Sequence, residues 1–282
     1  MAGRVVVVTD STAYLPEGLA DRLSIRVVPL RVVLGGRSGA EGDDVTPADV
    51  ASALSERMPV STSRPTPTEL AAVYRSVLDG GATGIVSLHL SRELSGTWDS
   101  ARMAAEEVGA DRVRVVDSRS AAMGLGFPVL AAASAAVEGA SLEDVYATAV
   151  DTAERTTTLF YVDTLEHLRR GGRIGAAQAL LGTALSVKPI LHVHEGRILP
   201  LEKVRTASKG VARLEALAVA AAGSGPVDVA VHHLAAPYRA AALIERLRAR
   251  LPGLHELHSS EVGAVVGAHV GPGVIGVVVV RR

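Results

Sequence analysis

Runs of β-branched residues alternate with helix-start signals along the first half of the chain, and this alternation constrains the fold more than any other feature. Residues 4–8 read Arg-Val-Val-Val-Val, a pattern typical of a strand that is buried on both faces. Thr46-Pro47 and Thr66-Pro67 each have an acidic residue three positions after the threonine, the pattern of a capped helix start with proline in the first turn. Strand–helix–strand alternation of this kind predicts a parallel sheet with right-handed crossovers.

The second half of the chain follows a different pattern. Residues 187–204 predict an antiparallel hairpin that turns at Glu195-Gly196. Antiparallel pairing mixed with strand–helix–strand units predicts a second lobe. We therefore expect an α/β fold with an N-terminal parallel-sheet lobe over residues 1–155 and a C-terminal mixed-sheet lobe over residues 156–282.

Three less regular segments are also assigned from their patterns. Residues 25–34 are rich in valine and are expected to form one strand, and residues 175–182 are expected to be helical. Ser259-Ser260 is expected to cap a short helix that runs toward Gly267.

Composition narrows the class of ligand. Aromatic residues make up only 3% of the chain and hydrophobic residues 48%, so a pocket in this protein is expected to be aliphatic. An aliphatic pocket disfavours bases, flavins and nucleic acid as ligands. The formal net charge of -1 gives no general attraction to a polyanion.

The absence of cysteine removes several kinds of chemistry. Disulfides, thiolate-bound zinc and thiol catalysis are excluded together, and no histidine spacing resembles a metal motif, so we expect no metal site. Neither a phosphate-binding loop nor a dinucleotide fingerprint is present. There is no signal-peptide pattern and no apolar run near the roughly 20 residues of a membrane span, so we expect a soluble, cytoplasmic protein.

Polar clusters follow the ends of the predicted strands, which is where open α/β sheets bind ligands. We expect these clusters to converge on one edge of the sheet. They are Asp10-Ser11-Thr12, residues 61–65, residues 91–97 and Asp117-Ser118.

Ser95-Gly96-Thr97 is the most informative of these clusters. At the start of a helix, a hydroxyl and unpaired backbone N–H groups meet the positive end of the helix dipole, which suits a carboxylate or a phosphate. Thr62 could supply a second hydroxyl from its own loop. The alternative is that Ser95 and Thr62 are ordinary cap and turn residues.

Two further segments carry candidate functional residues. Arg169, Arg170 and Arg173 surround a pair of glycines and suit bidentate contacts with a carboxylate or phosphate, although they equally fit solvated charges at a helix end. His269 is expected at the edge of a tight Gly-Pro-Gly loop, and a lone histidine is more often structural than functional.

Taken in order, these segments resemble the DegV family over essentially the whole chain. The resemblance departs at Arg64, where relatives usually carry glutamine, and at Trp98, where tyrosine is common, and these changes could alter the pocket entrance. The matching stretches are residues 8–13, 15–16, 28–30, 62–65, 94–98, 100–101, 116–118, 168–175, 188–190, 203–206 and 269–273.

The resemblance implies a two-lobe protein that holds one long-chain fatty acid, such as palmitate, between its lobes, with residues 156–282 covering an acyl tunnel. Family members serve as acyl-carrying subunits of bacterial fatty acid kinase. They present the bound acid to a separate ATP-dependent kinase subunit, which makes the acyl phosphate. This implies a role in lipid transport, fatty acid metabolism or phospholipid metabolism, with no cofactor and no catalysis by the chain itself.

The resemblance also implies the roles of individual residues. Thr62 and Ser95 are expected to hydrogen-bond the carboxylate. Arg170, with Arg173 as second choice, is expected to assist phosphoryl transfer together with His269. The remaining residues expected to bind the ligand are Gly96, Thr97, Asp10, Ser11, Ser118 and His269.

Two alternatives stay open at this point. Ser95, Asp117 and His269 occur in the Ser–Asp–His order of α/β-hydrolases that act on acyl esters, although the Gly-x-Ser-x-Gly elbow is missing. The site could also carry a different anionic metabolite.

Overall fold

A computed structural model describes residues 4–180 and 188–282, which form thirteen strands and ten α-helices. The strands are β1 (Val5–Asp10), β2 (Arg26–Val28), β3 (Arg31–Leu34), β4 (Arg37–Ala40), β5 (Val60–Ser63), β6 (Gly84–His89), β7 (Val113–Asp117), β8 (Thr156–Tyr161), β9 (Lys188–His194), β10 (Arg197–Val204), β11 (Val227–His233), β12 (Leu254–Glu261) and β13 (Ile275–Arg281). The helices are α1 (Leu19–Arg22), α2 (Pro47–Ser55), α3 (Pro67–Asp79), α4 (Thr97–Val108), α5 (Met123–Val137), α6 (Leu142–Glu154), α7 (Glu166–Arg170), α8 (Ala207–Ala222), α9 (Pro237–Arg250) and α10 (Ala264–Val270). The 3-10 turns are Ser11–Ala13 and Gly175–Leu180.

The chain divides into two compact units. The first consists of Met1–Arg31 and Ser63–Glu154, and the second of Val32–Thr62 and Arg155–Arg282. The division after Glu154 lies one residue from the expected boundary. Residues 32–62 differ from the expectation, because they group with the C-terminal part of the chain.

Contacts far apart in sequence explain why residues 32–62 join the second unit. A carboxylate oxygen of Glu41 accepts a hydrogen bond of 2.7 Å from the backbone N–H of Val265, at the start of α10. Helix α2 also packs against α10. No sequence spacing indicates such a pairing, so an uninterrupted N-terminal lobe was the natural expectation.

The first unit is built on a parallel sheet in the order β2-β1-β6-β7, as the strand–helix alternation predicted. Val6 and Val8 of β1 and Ile85 of β6 share a core with α3 and α4. Helices α5 and α6 pack on each other and contact β6, and α5 also contacts β1. Because alternate side chains of a strand point to opposite faces, valines on both sides of β1 are buried.

The second unit is built on a mixed sheet in the order β10-β9-β8-β13-β11-β12. Only β11 and β12 pair in parallel, and the other neighbours are antiparallel. Helices α8 and α9 cover one face of the sheet with leucines such as Leu214, Leu243 and Leu247. A smaller three-stranded sheet, in the order β4-β3-β5, forms within residues 31–63.

The predicted helix starts at Thr46 and Thr66 are confirmed. In each, the threonine hydroxyl accepts from the backbone N–H three residues later, and the acidic side chain there accepts from the threonine N–H. These reciprocal bonds satisfy donors that a helix start otherwise leaves unpaired, so the helix begins where the capping residues stand.

Residues 25–34 form two strands rather than the single strand expected. Strand β2 pairs with β1 in the parallel sheet, whereas β3 belongs to the three-stranded sheet. Pro29 lies between them and has no N–H to donate, so the pairing cannot continue through this position.

Ser259 and Ser260 were wrongly expected to cap a helix. Both lie in β12, and the Ser260 hydroxyl hydrogen-bonds Nδ1 of His232 on the neighbouring strand at 3.0 Å. The helix begins only at Ala264, after Gly263.

The predicted hairpin is confirmed for β9 and β10, which pair in antiparallel register from His194 and Arg197 at the turn. Its first residue, Val187, lies outside the described residues. The segment 175–182 is a 3-10 turn over Gly175–Leu180, and its last two residues also lie outside the described range. Among the described residues, no helix combines the length and apolarity that a membrane crossing requires.

Candidate functional site

Three of the four predicted polar clusters meet at the carboxyl edge of the parallel sheet, and Arg64 of the fourth cluster lies against Gly96 of the third. The backbone N–H of Leu90 donates to Asp10 at 3.0 Å, and that of Arg92 lies 3.3 Å from Asp117. Residues 90–97, which lead into α4, are therefore tied at both sides to neighbouring strand ends. The expected convergence is confirmed for these clusters, whereas Thr62 of the fourth cluster lies in β5 of the second unit.

Asp10 is completely buried, and its carboxylate is surrounded by protein donors. One oxygen accepts from the N–H and the hydroxyl of Thr12 at 3.1 and 2.5 Å, and the other accepts from Leu90 N and His89 Nδ1 at 3.0 Å each. A carboxylate has about four acceptor positions, so these bonds engage them all. Asp10 thus fixes two loops to each other, and its expected contact with a ligand stays a prediction.

A buried hydrogen-bond relay continues from Asp10 and was not predicted from the sequence. His89 Nε2 lies 2.8 Å from the Ser87 hydroxyl, which accepts from the Tyr74 hydroxyl at 2.8 Å. One proton arrangement satisfies every member: Tyr74 donates to Ser87, Ser87 donates to Nε2, and Nδ1–H donates to Asp10. The four side chains of the relay, Asp10, Tyr74, Ser87 and His89, have 0% exposure. Their hydrogen bonds therefore stabilise the edge of the sheet from within the core.

Ser11 and Ser118 lie at the same edge and take part in local bonding. The Ser11 hydroxyl accepts from Leu30 N at 3.0 Å, which ties the first loop to the residues that follow β2. The Ser118 hydroxyl accepts from the backbone N–H of Ser120 and donates to its carbonyl, both at 3.2 Å. The expected contact of Ser11 and Ser118 with a ligand stays a prediction.

The start of α4 has the geometry expected of an anion site. Ser95 and Thr97 hydroxyls lie 2.9 Å apart, and Thr97 N donates to the Ser95 hydroxyl at 3.3 Å. Gly96, the residue that precedes the helix, provides no side-chain cap. Apart from that of Thr97, the first N–H groups of this 12-residue helix have no side-chain cap, and they start beside two hydroxyls, where negative charge is favoured.

Thr62 and His269 form a second polar pair, in the second unit. The Thr62 hydroxyl lies 2.9 Å from His269 Nε2. Both residues were expected in loops, but Thr62 lies in β5 and His269 in the last turn of α10. Regular elements hold both side chains, so the pair is more rigidly placed than the sequence pattern suggested.

Gly171 decides which nitrogen of His269 carries the proton. A Cβ at Gly171 would lie 2.1 Å from Nδ1, so the glycine packs directly on that nitrogen. Nδ1 is buried and has no hydrogen-bond partner among the described residues. Because a buried N–H without an acceptor is the rarer and costlier arrangement, we assign the proton to Nε2. His269 then donates to Thr62, and the Thr62 hydroxyl proton can be donated to a ligand.

His269 is also held in its neutral form. Burial, with a smaller contribution from the positive charge of Arg173, lowers the pKa of His269 to about 4. At neutral pH the side chain is therefore an uncharged donor. If a carboxylate binds near this pair, the neutral His269 cannot balance its negative charge. The balancing positive charge would have to come from an arginine.

The arginine segment separates into two parts. Glu166 pairs with both Arg169 and Arg170, and the hydrogen bonds from Arg169 and then Arg170 lower the pKa of Glu166 to about 2. Arg173 instead donates to the carbonyl of Gly171 at 2.6 Å. Of the two favoured candidates, Arg173 is the one whose charge acts on His269, whereas Arg170 already has a carboxylate partner.

The proposed hydrolase triad has no supporting bond among its members. Ser95 pairs with Thr97, Asp117 accepts from Arg119 N at 2.9 Å, and His269 pairs with Thr62. An Asp–His–Ser relay does exist at Asp10, His89 and Ser87, but its serine is completely buried on a strand.

Other features bear on ligand binding. Among residues 4–180 and 188–282, no three acidic or histidine side chains cluster as a metal ion would need.

A groove of about 590 Å³ runs between α8 and α9, and its walls include Glu215 and Arg246, which form an ion pair. Its lining contains none of the predicted carboxylate-binding residues.

Comparison with known proteins identifies the family. A model described as "Uncharacterised protein, DegV family" matches residues 4–282. The chain belongs to the DegV family. A DegV domain-containing protein of Streptomyces coelicolor is 58% identical over 282 residues, which are all of both chains. Protein DegV of Bacillus subtilis is 36% identical over 276 residues, covering 97% of this chain and 98% of the relative.

Solved DegV structures confirm the expected α/β fold. A DegV family protein from Thermus thermophilus, described as fatty acid binding, superposes with a TM-score of 0.94 at 38% identity, covering 99% of this chain and all of the other. DegV from Bacillus subtilis, described as a fatty acid binding protein, superposes with a TM-score of 0.90 at 34% identity, again covering 99% and 100%.

Several structurally important residues have no signal in the sequence. In the first unit His89 and Tyr74, and in the second unit Glu41, each bond to a partner at least 13 positions away along the chain. Isolated polar residues within strand or helix patterns resemble ordinary core or surface positions. Only the position of Ser87 and His89 two apart on one strand, and so on one face, hinted at a shared role.

Proposed function

We propose that this DegV protein binds one long-chain fatty acid and presents its carboxylate to a separate ATP-dependent kinase subunit. The observation that carries the proposal is the start of α4, where Gly96 provides no side-chain cap and the Ser95 and Thr97 hydroxyls lie 2.9 Å apart beside the first turn of the helix. The fatty-acid-binding relatives of the same fold support this choice of anion.

The energetics favour a long aliphatic tail. About 14 methylene groups contribute roughly 0.8 kcal/mol each on burial, or about 11 kcal/mol before association and ordering costs. The acid head must keep its hydrogen bonds, because an unpaired carboxylate would cancel much of this gain. The proposed donors are the hydroxyls of Ser95 and Thr62, with the N–H of Gly96 and the unpaired N–H groups in the first turn of α4.

The proposed chemistry is completed on the partner kinase. A carboxylate oxygen of the bound acid attacks the terminal phosphorus of ATP, ADP leaves, and the product is an acyl phosphate. In this proposal, His269 acts as a neutral donor that orients Thr62, and Arg173 or Arg170 supplies positive charge. No nucleophile of this chain takes part in the step.

Ligand identity is tested by extracting the purified protein with organic solvent and analysing the extract by mass spectrometry. A long-chain acid in equimolar amount supports the proposal. A polar anion, or protein that ignores added palmitate in a titration, would contradict it and favour the alternative of another anionic metabolite.

The carboxylate donors are tested by substitution. Ser95→Ala and Thr62→Ala should each weaken palmitate binding by about 1–3 kcal/mol, because each leaves the acid head short of a hydrogen bond. Ser141→Ala is the matched control, since Ser141 also precedes a helix and accepts from Asp144 N in that cap. If all three variants bind palmitate like the unchanged protein, the proposed donors are wrong.

Presentation to a kinase needs a separate measurement. Palmitate-loaded protein, ATP and a bacterial fatty acid kinase subunit should yield acyl phosphate, trapped with hydroxylamine as the hydroxamate. His269→Ala should reduce this yield more than it reduces palmitate binding. Retained palmitate with no product from the unchanged protein would remove the kinase role and leave the binding role intact.

A further inference from the structure

Arg64 lies directly over the start of α4. Its guanidinium occupies the space where a side chain at Gly96 would be, since a Cβ built on Gly96 would lie 1.5 Å from Arg64 Nη1 and 2.6 Å from Cζ. Only glycine at position 96 permits this approach. The Arg64 guanidinium therefore fills the space that a side chain at position 96, just before the helix, would otherwise occupy.

The charge of Arg64 is not neutralised by a nearby carboxylate. Among the described residues, no ion pair or hydrogen bond involves its side chain, whereas Arg92 in the same loop region pairs with Asp117. Arg64 is also exposed, so its position costs little in desolvation. A positive charge without a carboxylate partner thus lies against Gly96, the residue between Ser95 and Thr97.

A second donor side chain, on a residue of the first turn of α4, also has no partner among the described residues. Trp98 occupies the first turn of α4, and its indole N–H is buried with no acceptor among the residues described here. A buried N–H usually has an acceptor, supplied by protein, water or ligand. The side chains of Arg64, against Gly96, and of Trp98, in the first turn of α4, are thus two donors without an acceptor among the described residues.

We propose that Arg64 is a further ligand-binding residue of this site, and that it makes the site favour a phosphoryl head over a carboxylate head. The inference rests on the proposed function and extends it from the substrate acid to its phosphorylated product. An acyl phosphate carries more negative charge and more acceptor oxygens than the acid. Arg64 therefore retains the product on the protein after transfer.

A series of ligands with one tail and three head charges tests this inference. Dodecanol, dodecanoate and dodecyl phosphate carry a neutral, a singly charged and a more highly charged head, and their dissociation constants are measured by calorimetry at low and high salt. Arg64→Gln should weaken dodecyl phosphate binding by about fivefold, the upper range for an exposed charge pair. It should weaken dodecanoate binding less and leave dodecanol unchanged.

Two variants serve as controls. Arg22→Gln removes an equally exposed arginine of the same unit that has no contact with Gly96 in the structure, and it should change none of the three constants. Arg64→Lys retains the charge and should keep most of the preference for phosphate. High salt should reduce the difference between Arg64→Gln and the unchanged protein, because exposed charges are screened.

The outcomes separate the inference from the proposed function. An equal change for all three ligands, or no change for any, would overturn the role of Arg64 while leaving fatty acid binding in place. If the unchanged protein binds none of the three, the proposed function itself fails.

Discussion

The side chain of His269 has its chemical state set by its neighbours rather than by its type. Burial lowers its pKa to about 4, with Arg173 adding to the effect, whereas the ordinary value in an unfolded chain is about 6.5. Gly171 covers Nδ1 and leaves Nε2 as the proton carrier toward Thr62. A histidine at this position is thus a neutral, directed donor at physiological pH.

This lowered pKa predicts a specific pH dependence of stability. Between about pH 6.5 and 4 the His269 side chain is protonated in the unfolded chain but not in the folded one. Its contribution to the free energy of unfolding is therefore fully present above pH 6.5 and is lost as the pH falls toward 4. His269→Gln removes the titrating group. The stability of the unchanged protein relative to this variant should therefore fall by roughly 2 kcal/mol from pH 7.5 to pH 4.5, measured by urea unfolding.

Other titrating groups do not obscure this comparison. His232 is completely enclosed and its pKa is also lowered to about 4 by burial, but both proteins retain it, so its effect cancels. A relative stability that stays constant across this pH range would show that His269 is not held neutral by its surroundings.

Helices and strands were predictable where their signals are local. The starts of α2 and α3 follow from capping residues within four positions. Strand β5 was not predicted, because Ser61, Thr62 and Ser63 are polar and form a strand only by pairing in the three-stranded sheet. Non-local pairing of this kind leaves no periodic pattern in the sequence.

The candidate site shows the same division between local and distant causes. The placement of the Ser95 and Thr97 hydroxyls at a helix start was predictable, since hydroxyls and helix start are adjacent in sequence. The relay behind Asp10 was not, because Asp10 and His89 are 79 positions apart. Sequence spacing reveals which groups start a helix, whereas only the folded sheet brings strand ends together.

Helix α10 depends on a cap supplied from a distant segment. It has seven residues and no side-chain cap of its own, and the buried carboxylate of Glu41 accepts from Val265 N at 2.7 Å. Glu41→Ala should lower the free energy of unfolding by about 1–2 kcal/mol, the range for a lost helix cap. Because α10 carries His269, the kinase-dependent yield of acyl phosphate should fall as well.

Asp49→Ala is the matched control for this prediction. Asp49 is the acidic member of the cap of α2, which also lies in residues 32–62, so the variant also loses a hydrogen bond at a helix start, although an exposed one. It should lower stability less than Glu41→Ala and cause no loss of acyl phosphate beyond what that lower stability explains. Equal losses of product in both variants would show that general stability, not the position of α10, determines the yield.

The order of segments in the whole molecule does not follow the order of its compact units. Residues 32–62 interrupt the first unit and belong to the second, where α2 packs on α10 and Gly267 lies near Val50. Val50 and Ala53 of α2 are fully or almost fully buried, with exposures of 0% and 2%. The expected division of the chain at a single point near residue 155 would assign Val50 and Ala53 to the core of the first unit, whereas they belong to the second.

Cutting the chain after Glu154 should therefore not release two self-folding halves. A fragment of residues 155–282 lacks the partner of α10 and the Glu41 cap, so it should unfold without cooperativity in urea, followed by circular dichroism. Adding residues 32–62 as a separate chain should restore a cooperative transition. Residues 1–31 joined to 63–154 should fold alone, because their core of Val6, Val8 and α3 includes no residue of the interrupting segment. If residues 155–282 unfold cooperatively by themselves, and the added chain does not change this, residues 32–62 are not needed for the stability of the second unit.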